Sequence, residues 1–240
     1  MRTDVYGVGF DNVTLTEALD FATGKISAGD QGYIVTPNPE IVWMCKSDAA
    51  LKSAVAGASL VLADGVGVII GAKILGRPLK AKIPGIDFAE ALIERLAAQG
   101  KSVYLFGAKP GVAEEAGARL CAKYPGLVLA GCSDGYFEDA APVIEKINAA
   151  KPDLLLVCLG APKQECWMAE KLPQMNAGLA IGLGGALDVF AGVVSRAPKA
   201  FRALQLEWLY RLIRDPRRIK RMIKLPLFIF AVIWCRIRGK

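Results

Sequence analysis

Residues 154–167, LLLVCLGAPKQECW, constrain the fold more than any other stretch, because they change structural type within a few positions. Residues 154–159 are an unbroken apolar run without alternation, the pattern of a strand buried on both faces in a parallel sheet. Gly160 and Pro162 end that strand. Lys163, Gln164 and Glu165 then open a segment whose Trp167, Met168 and Leu172 form an apolar helix face. Ligands of open α/β sheets lie just beyond the carboxyl ends of the strands, so these three polar residues are expected to project where a substrate lies. The plainer alternative is an ordinary polar βα turn.

The same alternation runs through the chain. Strands are expected over residues 5–10, 32–35, 59–63, 102–106, 127–132, 154–159 and 177–182, separated by helical segments. Thr14 and Glu17 form a capping box that opens a helix through about Ile26. Further helices are expected over residues 66–75, 87–99 and 112–124. Seven strands alternating with helices specify an α/β chain with a largely parallel, doubly wound, Rossmann-like sheet.

Four strand ends carry uncommon polar sets: Thr36 with Asn38, Asp64, Asp134 with Tyr136, and Lys163 with Gln164. Pro37 and Pro39 stiffen the loop holding Thr36 and Asn38, which either grip a ligand or cap the next helix. Asp64, before a helix and amid apolar sequence, reads as a general base or as an N-cap. Tyr136 stacks a base or plugs the core. Arg77, Lys80 and Lys82 make a basic loop, and Gly182, Gly184 and Gly185 fall short of a dinucleotide fingerprint, which disfavours an NAD-dependent oxidoreductase.

Composition narrows the chemistry. The chain has no histidine, which removes Ser-His and Cys-His nucleophile pairs and most zinc sites. Carboxylates must carry any proton transfer. There is also no Asp-x-Asp pair to hold a divalent cation against a sugar-nucleotide diphosphate, so no metal or other cofactor is expected, and anionic substrate must be met by Lys, Arg and backbone amides. Six scattered cysteines without a CxxC read as reduced packing residues in a reducing cytoplasm. The N-terminal segment has no apolar core of signal-peptide length.

Charge is unevenly spread. Residues 196–240 hold 13 Lys and Arg against Glu207 and Asp215, while residues 1–195 hold 17 basic against 21 acidic. The organisation expected is a catalytic domain over 1–195 and a basic appendage over 196–240. In the appendage, residues 198–214 read as one helix, and Asp215-Pro216 restarts the chain into a basic stretch before the apolar run 225–235. Eleven residues span about 16 Å as a helix, against a hydrocarbon core of about 30 Å, so the run is expected to lie in the membrane interface with basic groups toward anionic lipid. A basic helix packed on the body is the alternative, and a membrane or nucleic-acid adaptor is a rival that leaves the polar strand ends unexplained.

In order and spacing, TPNPEIV, LADGVGVI, PGIDFAEAL, FGAKPGVAEEA, DGYF, GAPKQE, GGALDVFAG, RAPK and EWLYRLIRDPRR cover nearly the whole chain. Together they resemble the bacterial WecG/TagA/CpsF glycosyltransferase family. The resemblance implies transfer of an N-acetylmannosamine-type sugar from a UDP donor to polyprenyl-diphosphate-linked N-acetylglucosamine, in surface polymer synthesis at the inner face of the membrane. It implies Asp64 as catalytic base, Thr36 and Asn38 orienting the sugars, Gln164 binding the nucleotide, Tyr136 stacking on uracil and Asp188 accepting from its N3–H. It also places Lys82, Arg211, Arg218 and Arg221 against diphosphate charge. Lys82 stands where the family commonly has Arg, which keeps the charge without the bidentate fork. Asp134 stands where it often has His and is assigned no role. Another UDP-sugar, such as N-acetylmannosaminuronic acid or glucose, is the alternative donor. The expected partners are donor, lipid acceptor and anionic membrane, with no nucleic acid; a homo-oligomer is left open.

Overall fold

A computed structural model describes residues 2–216, 219 and 223–238 of the chain. Arg218 and Arg221 lie outside the described residues, and so does the side chain of Arg211. The strands are β1 (Arg2–Val5), β2 (Val8–Asp11), β3 (Gly32–Val35), β4 (Leu60–Val61), β5 (Ser102–Gly107), β6 (Val128–Ser133), β7 (Leu154–Cys158) and β8 (Leu179–Gly182). Six of them form one parallel sheet in the order β4-β3-β8-β7-β5-β6.

Both faces of this sheet are covered, which is why its strands read as solid apolar runs. Val35, Val61, Phe106, Leu155, Val157 and Ala180 point into one core. Their neighbours Ile34, Leu60, Leu105, Leu156, Leu179 and Ile181 point into the other. The first core is closed by α2 (Pro39–Met44), α3 (Ala49–Gly57), α4 (Val66–Ile74), α7 (Ala141–Ala150) and α8 (Lys163–Lys171). The second is closed by α1 (Leu15–Ala28), α5 (Gly85–Ala97), α6 (Val112–Lys123) and α9 (Ala186–Phe190). The capping box of α1 is formed, with Glu17 N–H donating to Thr14 Oγ1 at 3.2 Å and Thr14 N–H to Glu17 Oε2 at 2.7 Å.

Two sequence expectations are corrected. Residues 5–10 are not one strand: Tyr6 (φ 55°) and Gly7 (φ 84°) form a two-residue turn between β1 and β2, which pair antiparallel as a separate two-stranded sheet. Asp11 pins this hairpin to the sheet edge by accepting from Val61 N–H at 2.8 Å. Residues 198–214 are not one helix either. α10 (Lys199–Ala203) and α11 (Glu207–Arg214) are separated by Gln205 at φ 61°, a left-handed residue that breaks helical continuation.

The apolar run of the tail becomes α12 (Lys224–Ile237), which packs against α4 and α2. Two glycines one turn apart on α4 admit it. A Cβ on Gly67 would lie 2.6 Å from Leu225 Cδ1, and one on Gly71 would lie 2.9 Å from Phe228 Cζ. Phe228 and Val232 are wholly buried, and Phe228 meets Tyr6 edge-on at 6.0 Å. Leu227, Phe230, Trp234 and Ile237 face outward on the other side. No helix among the described residues is long and apolar enough to cross a membrane.

Candidate active site

Across the carboxyl edge of the sheet the strand ends succeed one another as Asp64 (β4), Thr36 and Asn38 (β3), Gly182 (β8), Gln164 (β7), Gly107 (β5) and Tyr136 (β6). The chain leaves β7 toward β8 on one side and β5 toward β6 on the other. The junction of β7 and β5 is therefore the topological switch point, where open α/β sheets bind ligands. Gly107 makes that junction: it has φ 128°, and a Cβ there would run into the Cys158 carbonyl. Ala108 N–H donates to the same carbonyl at 3.2 Å, and Gly135 N–H to Ala108 O at 2.9 Å, which ties the ends of β5, β6 and β7 together.

On the β6 side, Tyr136 is 69 % exposed. It is Phe137 that plugs the core, with its ring 5.5 Å from Phe106 and the Lys163 ammonium 4.2 Å above it. Asp134 Oδ1 accepts from Tyr136 N–H at 2.8 Å, so the tyrosine is presented on a braced turn. An exposed aromatic on a fixed loop is suited to stacking a base. Asp188, in the first turn of α9, lies beside the glycine turn, its Oδ2 3.5 Å from where a Gly185 Cβ would stand.

On the β3–β4 side, Asp64 sits half-buried between two loops. Its N–H donates to Pro37 O at 3.2 Å, and the preceding Ala63 carbonyl accepts from Ile83 N–H at 2.8 Å. The N-cap of α4 is Gly65 (φ 89°), so Asp64 precedes the cap position. Asn38 caps α2 by accepting from Ile41 N–H at 3.0 Å, a cap that uses its Oδ1 and not its Nδ2. Buried Thr36 donates to Gly182 O at 3.4 Å. Lys82 bonds to Gln205 Oε1 and thereby joins the basic loop to the segment between α10 and α11.

The crest after β7 differs from the sequence picture. Helix α8 begins at Lys163, and of the three polar residues only Lys163 projects. Gln164 and Glu165 are 4 % and 1 % exposed, turned inward with Trp167 and Met168. Gln164 Oε1 accepts from Gly184 N–H at 2.8 Å, and its Nε2 donates to Glu165 Oε1 at 2.8 Å. Thr36 and Gln164 thus grip one glycine turn, residues 182–185, from two sides. Sequence reasoning missed the roles of Gly107, this turn and Glu165. The available signal for the inward turn was the i, i+4, i+8 spacing of Gln164, Met168 and Leu172.

The cysteines are all free, and burial pushes Cys45 and Cys132 up to about 11 and Cys158 up to about 12. Those three thiols stay protonated near neutrality and pack rather than react. The carboxylates and amides of the crest are left as its polar chemistry.

Comparison with known proteins follows the same residues. The model of the Glycosyl transferase WecG/TagA/CpsF family matches residues 3–240. A protein of Bacillus spizizenii is 38% identical over 201 residues, covering 84% of this chain and 78% of that protein. One from Staphylococcus aureus strain MW2 is 35% identical over 237 residues, 96% and 92% of the two chains. One from Bacillus subtilis strain 168 is 33% identical over 235 residues, 97% and 92%. Each of the three is named N-acetylglucosaminyldiphosphoundecaprenol N-acetyl-beta-D-mannosaminyltransferase.

Proposed function

The chain belongs to the WecG/TagA/CpsF glycosyltransferase family, and from that membership we propose that it transfers N-acetylmannosamine to N-acetylglucosaminyl-diphosphoundecaprenol. The reaction is a UDP-sugar-dependent hexosyl transfer in cell-wall polysaccharide synthesis of the teichoic-acid kind. The observation that carries the reading onto this structure is the convergence of Thr36, Gln164 and the glycine turn between an exposed aromatic on one side and Asp64 on the other.

The donor lies across the switch point. Its uracil stacks on Tyr136, with Asp188 accepting from the uracil N3–H, and its diphosphate runs over the turn held by Gln164. The sugar reaches toward Thr36 and the Nδ2 of Asn38. Asp64 takes the proton from the acceptor hydroxyl as that oxygen attacks the anomeric carbon opposite the leaving UDP, an inverting displacement in one step. Lys82 and the arginines of the appendage, Arg211, Arg218 and Arg221, offset the charge of the diphosphates. No cation is needed in this scheme.

The acceptor is lipid-linked, so the enzyme must meet a bilayer, and we place it peripherally on the inner face of the cell membrane. The outward side of α12, with Phe230 70 % and Trp234 56 % exposed, is the surface for that contact. The direct test is UDP release across a panel of UDP-sugars with an undecaprenyl-diphosphate-N-acetylglucosamine acceptor. Turnover that requires both UDP-N-acetylmannosamine and the acceptor is expected; equal or greater turnover with UDP-glucose or UDP-N-acetylmannosaminuronic acid would overturn the donor assignment.

A further inference from the structure

Glu165 has no part in the scheme above, yet it is among the most deeply buried polar residues described, at 1 % exposure. Its Oε1 accepts from the Gln164 amide, and its Oε2 has no hydrogen-bond partner among the described residues. A carboxyl in that position is costly, and a leucine of similar size would fill the space without desolvating a polar group. The group therefore calls for an explanation in what it does to its one partner.

That partner has an ambiguity only a neighbour can remove. A carboxamide carries a donor end and an acceptor end of nearly the same shape, and rotation by half a turn exchanges them. With Gln164 as placed, Oε1 meets Gly184 N–H and Nε2 meets Glu165 Oε1, each at 2.8 Å. The rotated amide would set donor against donor at Gly184 and acceptor against acceptor at Glu165. The consequence reaches the site because the amide lies hard against the glycine turn: a Cβ on Gly182 would be 3.0 Å from Gln164 Nε2 and 2.9 Å from Met168 Cε.

We propose that Glu165 is a positioning residue that fixes the orientation of the Gln164 carboxamide and, through it, holds the Gly182–Gly185 turn in the shape the donor diphosphate meets. The part played at the diphosphate rests on the glycosyltransferase reading; the hold on the turn does not. What Glu165 supplies is an acceptor oxygen rather than a charge. Burial raises the pKa of its carboxyl, and the geometry needs only the oxygen that faces Gln164 Nε2 at 2.8 Å. Glutamine at this position offers the same oxygen, whereas leucine offers none.

The test reads the turn directly and the reaction separately, in the full-length protein. Hydrogen exchange of the Gly184 amide is measured by NMR in wild type, Glu165→Leu, Glu165→Gln, Gln164→Ala and the Glu165→Leu/Gln164→Ala double variant. Loss of one hydrogen bond is expected to speed exchange at Gly184 by roughly tenfold in Glu165→Leu and in Gln164→Ala. The double variant is expected to exchange no faster than Gln164→Ala, and Glu165→Gln to stay within about threefold of wild type. In UDP release the same order is expected in kcat/KM, with the double variant no worse than Gln164→Ala. Should Glu165→Leu not fold, Glu165→Met gives the same readout. Gly184 exchange unchanged in the apolar variants, additive losses in the double variant, or Glu165→Gln as damaging as Glu165→Leu would each overturn the proposal. If the exchange pattern holds while no UDP-sugar is turned over, the positioning stands and the glycosyltransferase reading fails.

Discussion

Phe228→Ala is expected to release α12 from the body and to abolish transfer to a lipid-linked acceptor without unfolding the sheet. The helix is held chiefly through Phe228 and Val232, both 0 % exposed, with Phe228 seated over Gly71 and Leu225 over Gly67, where α4 has no side chains. Burying two such residues contributes about 3–6 kcal/mol before ordering costs. Truncating the phenylalanine costs about 3–5 kcal/mol, transfer and cavity terms together, which lowers the docking equilibrium constant by some two to four orders of magnitude. A free 14-residue helix is marginal in water, so the detached segment should fray. Hydrogen exchange by mass spectrometry on the full chain reads this as lost protection over Lys224–Ile237, with the β5 and β7 peptides still protected. Trp234→Ala, on the outward side, should leave protection unchanged. Gly71→Val should reproduce the release from the opposite partner, because its Cβ would stand 2.9 Å from Phe228 Cζ. The reasoning is refuted if Lys224–Ile237 stays as protected in Phe228→Ala as in wild type, or if the sheet loses protection in the same step.

Four other outcomes are expected. Asp64→Asn should lower kcat by about 10²- to 10⁴-fold with UDP affinity nearly unchanged, since an amide cannot take the acceptor's proton; activity within about threefold of wild type would remove Asp64 as the base. Tyr136→Ala should weaken UDP binding, measured by calorimetry, by the 1–3 kcal/mol typical of one base stacked on an aromatic ring, or about 5- to 150-fold. Chelation with EDTA should leave the rate of UDP release unchanged, and a loss restored by Mg²⁺ or Mn²⁺ would contradict the scheme. Phe230→Ser with Trp234→Ser should reduce flotation with anionic vesicles by at least about tenfold, each large apolar side chain being worth about 1.5–3 kcal/mol when fully buried; flotation equal to wild type would move the contact elsewhere.

The parallel sheet was legible because burial on both faces leaves a mark that survives in one dimension, the solid apolar run. Turn chemistry was legible where the residues admit few conformations, as at Thr14 with Glu17 or at the Pro37–Pro39 loop. It failed where a residue adopts an uncommon conformation that its type does not announce. Tyr6 and Gln205 both take positive φ without being glycine or asparagine, and each divides what the pattern reads as one element. The inward turn of Gln164 and Glu165 was hidden for another reason. Their polarity argues for solvent, and only the helix phase set by Met168 and Leu172 puts them inside, where each supplies the other's hydrogen bond. The switch point itself was out of reach, since strand order comes from long-range pairing that a local pattern does not contain.

The tail helix follows from the same logic carried one step further. A helix that is apolar on all sides must be covered on all sides, and α12 is apolar on nearly all of its turns. One side is accounted for by the glycines of α4, a small-residue seat that brings the backbones close. The opposite side, Leu227, Phe230, Trp234 and Ile237, recurs at steps of three and four residues and is largely exposed, at 44–73 %. Fixing the first side fixes the direction of the second. Leu225 touches Gly67 in the first turn of α4, three residues beyond Asp64, while Arg236 approaches Gly76 past its far end. The helix is about 21 Å long, so its amino-terminal end lies on the Asp64 side of the molecule and its carboxyl-terminal end points away. If the outward side rests in the bilayer interface, the proposed base stands close to the plane where an undecaprenyl diphosphate carries its sugar, with Lys224 at the same end. A peripheral enzyme acting on a lipid-linked sugar needs that relation between base and interface, and on the proposed reading one helix with two apolar sides would supply it.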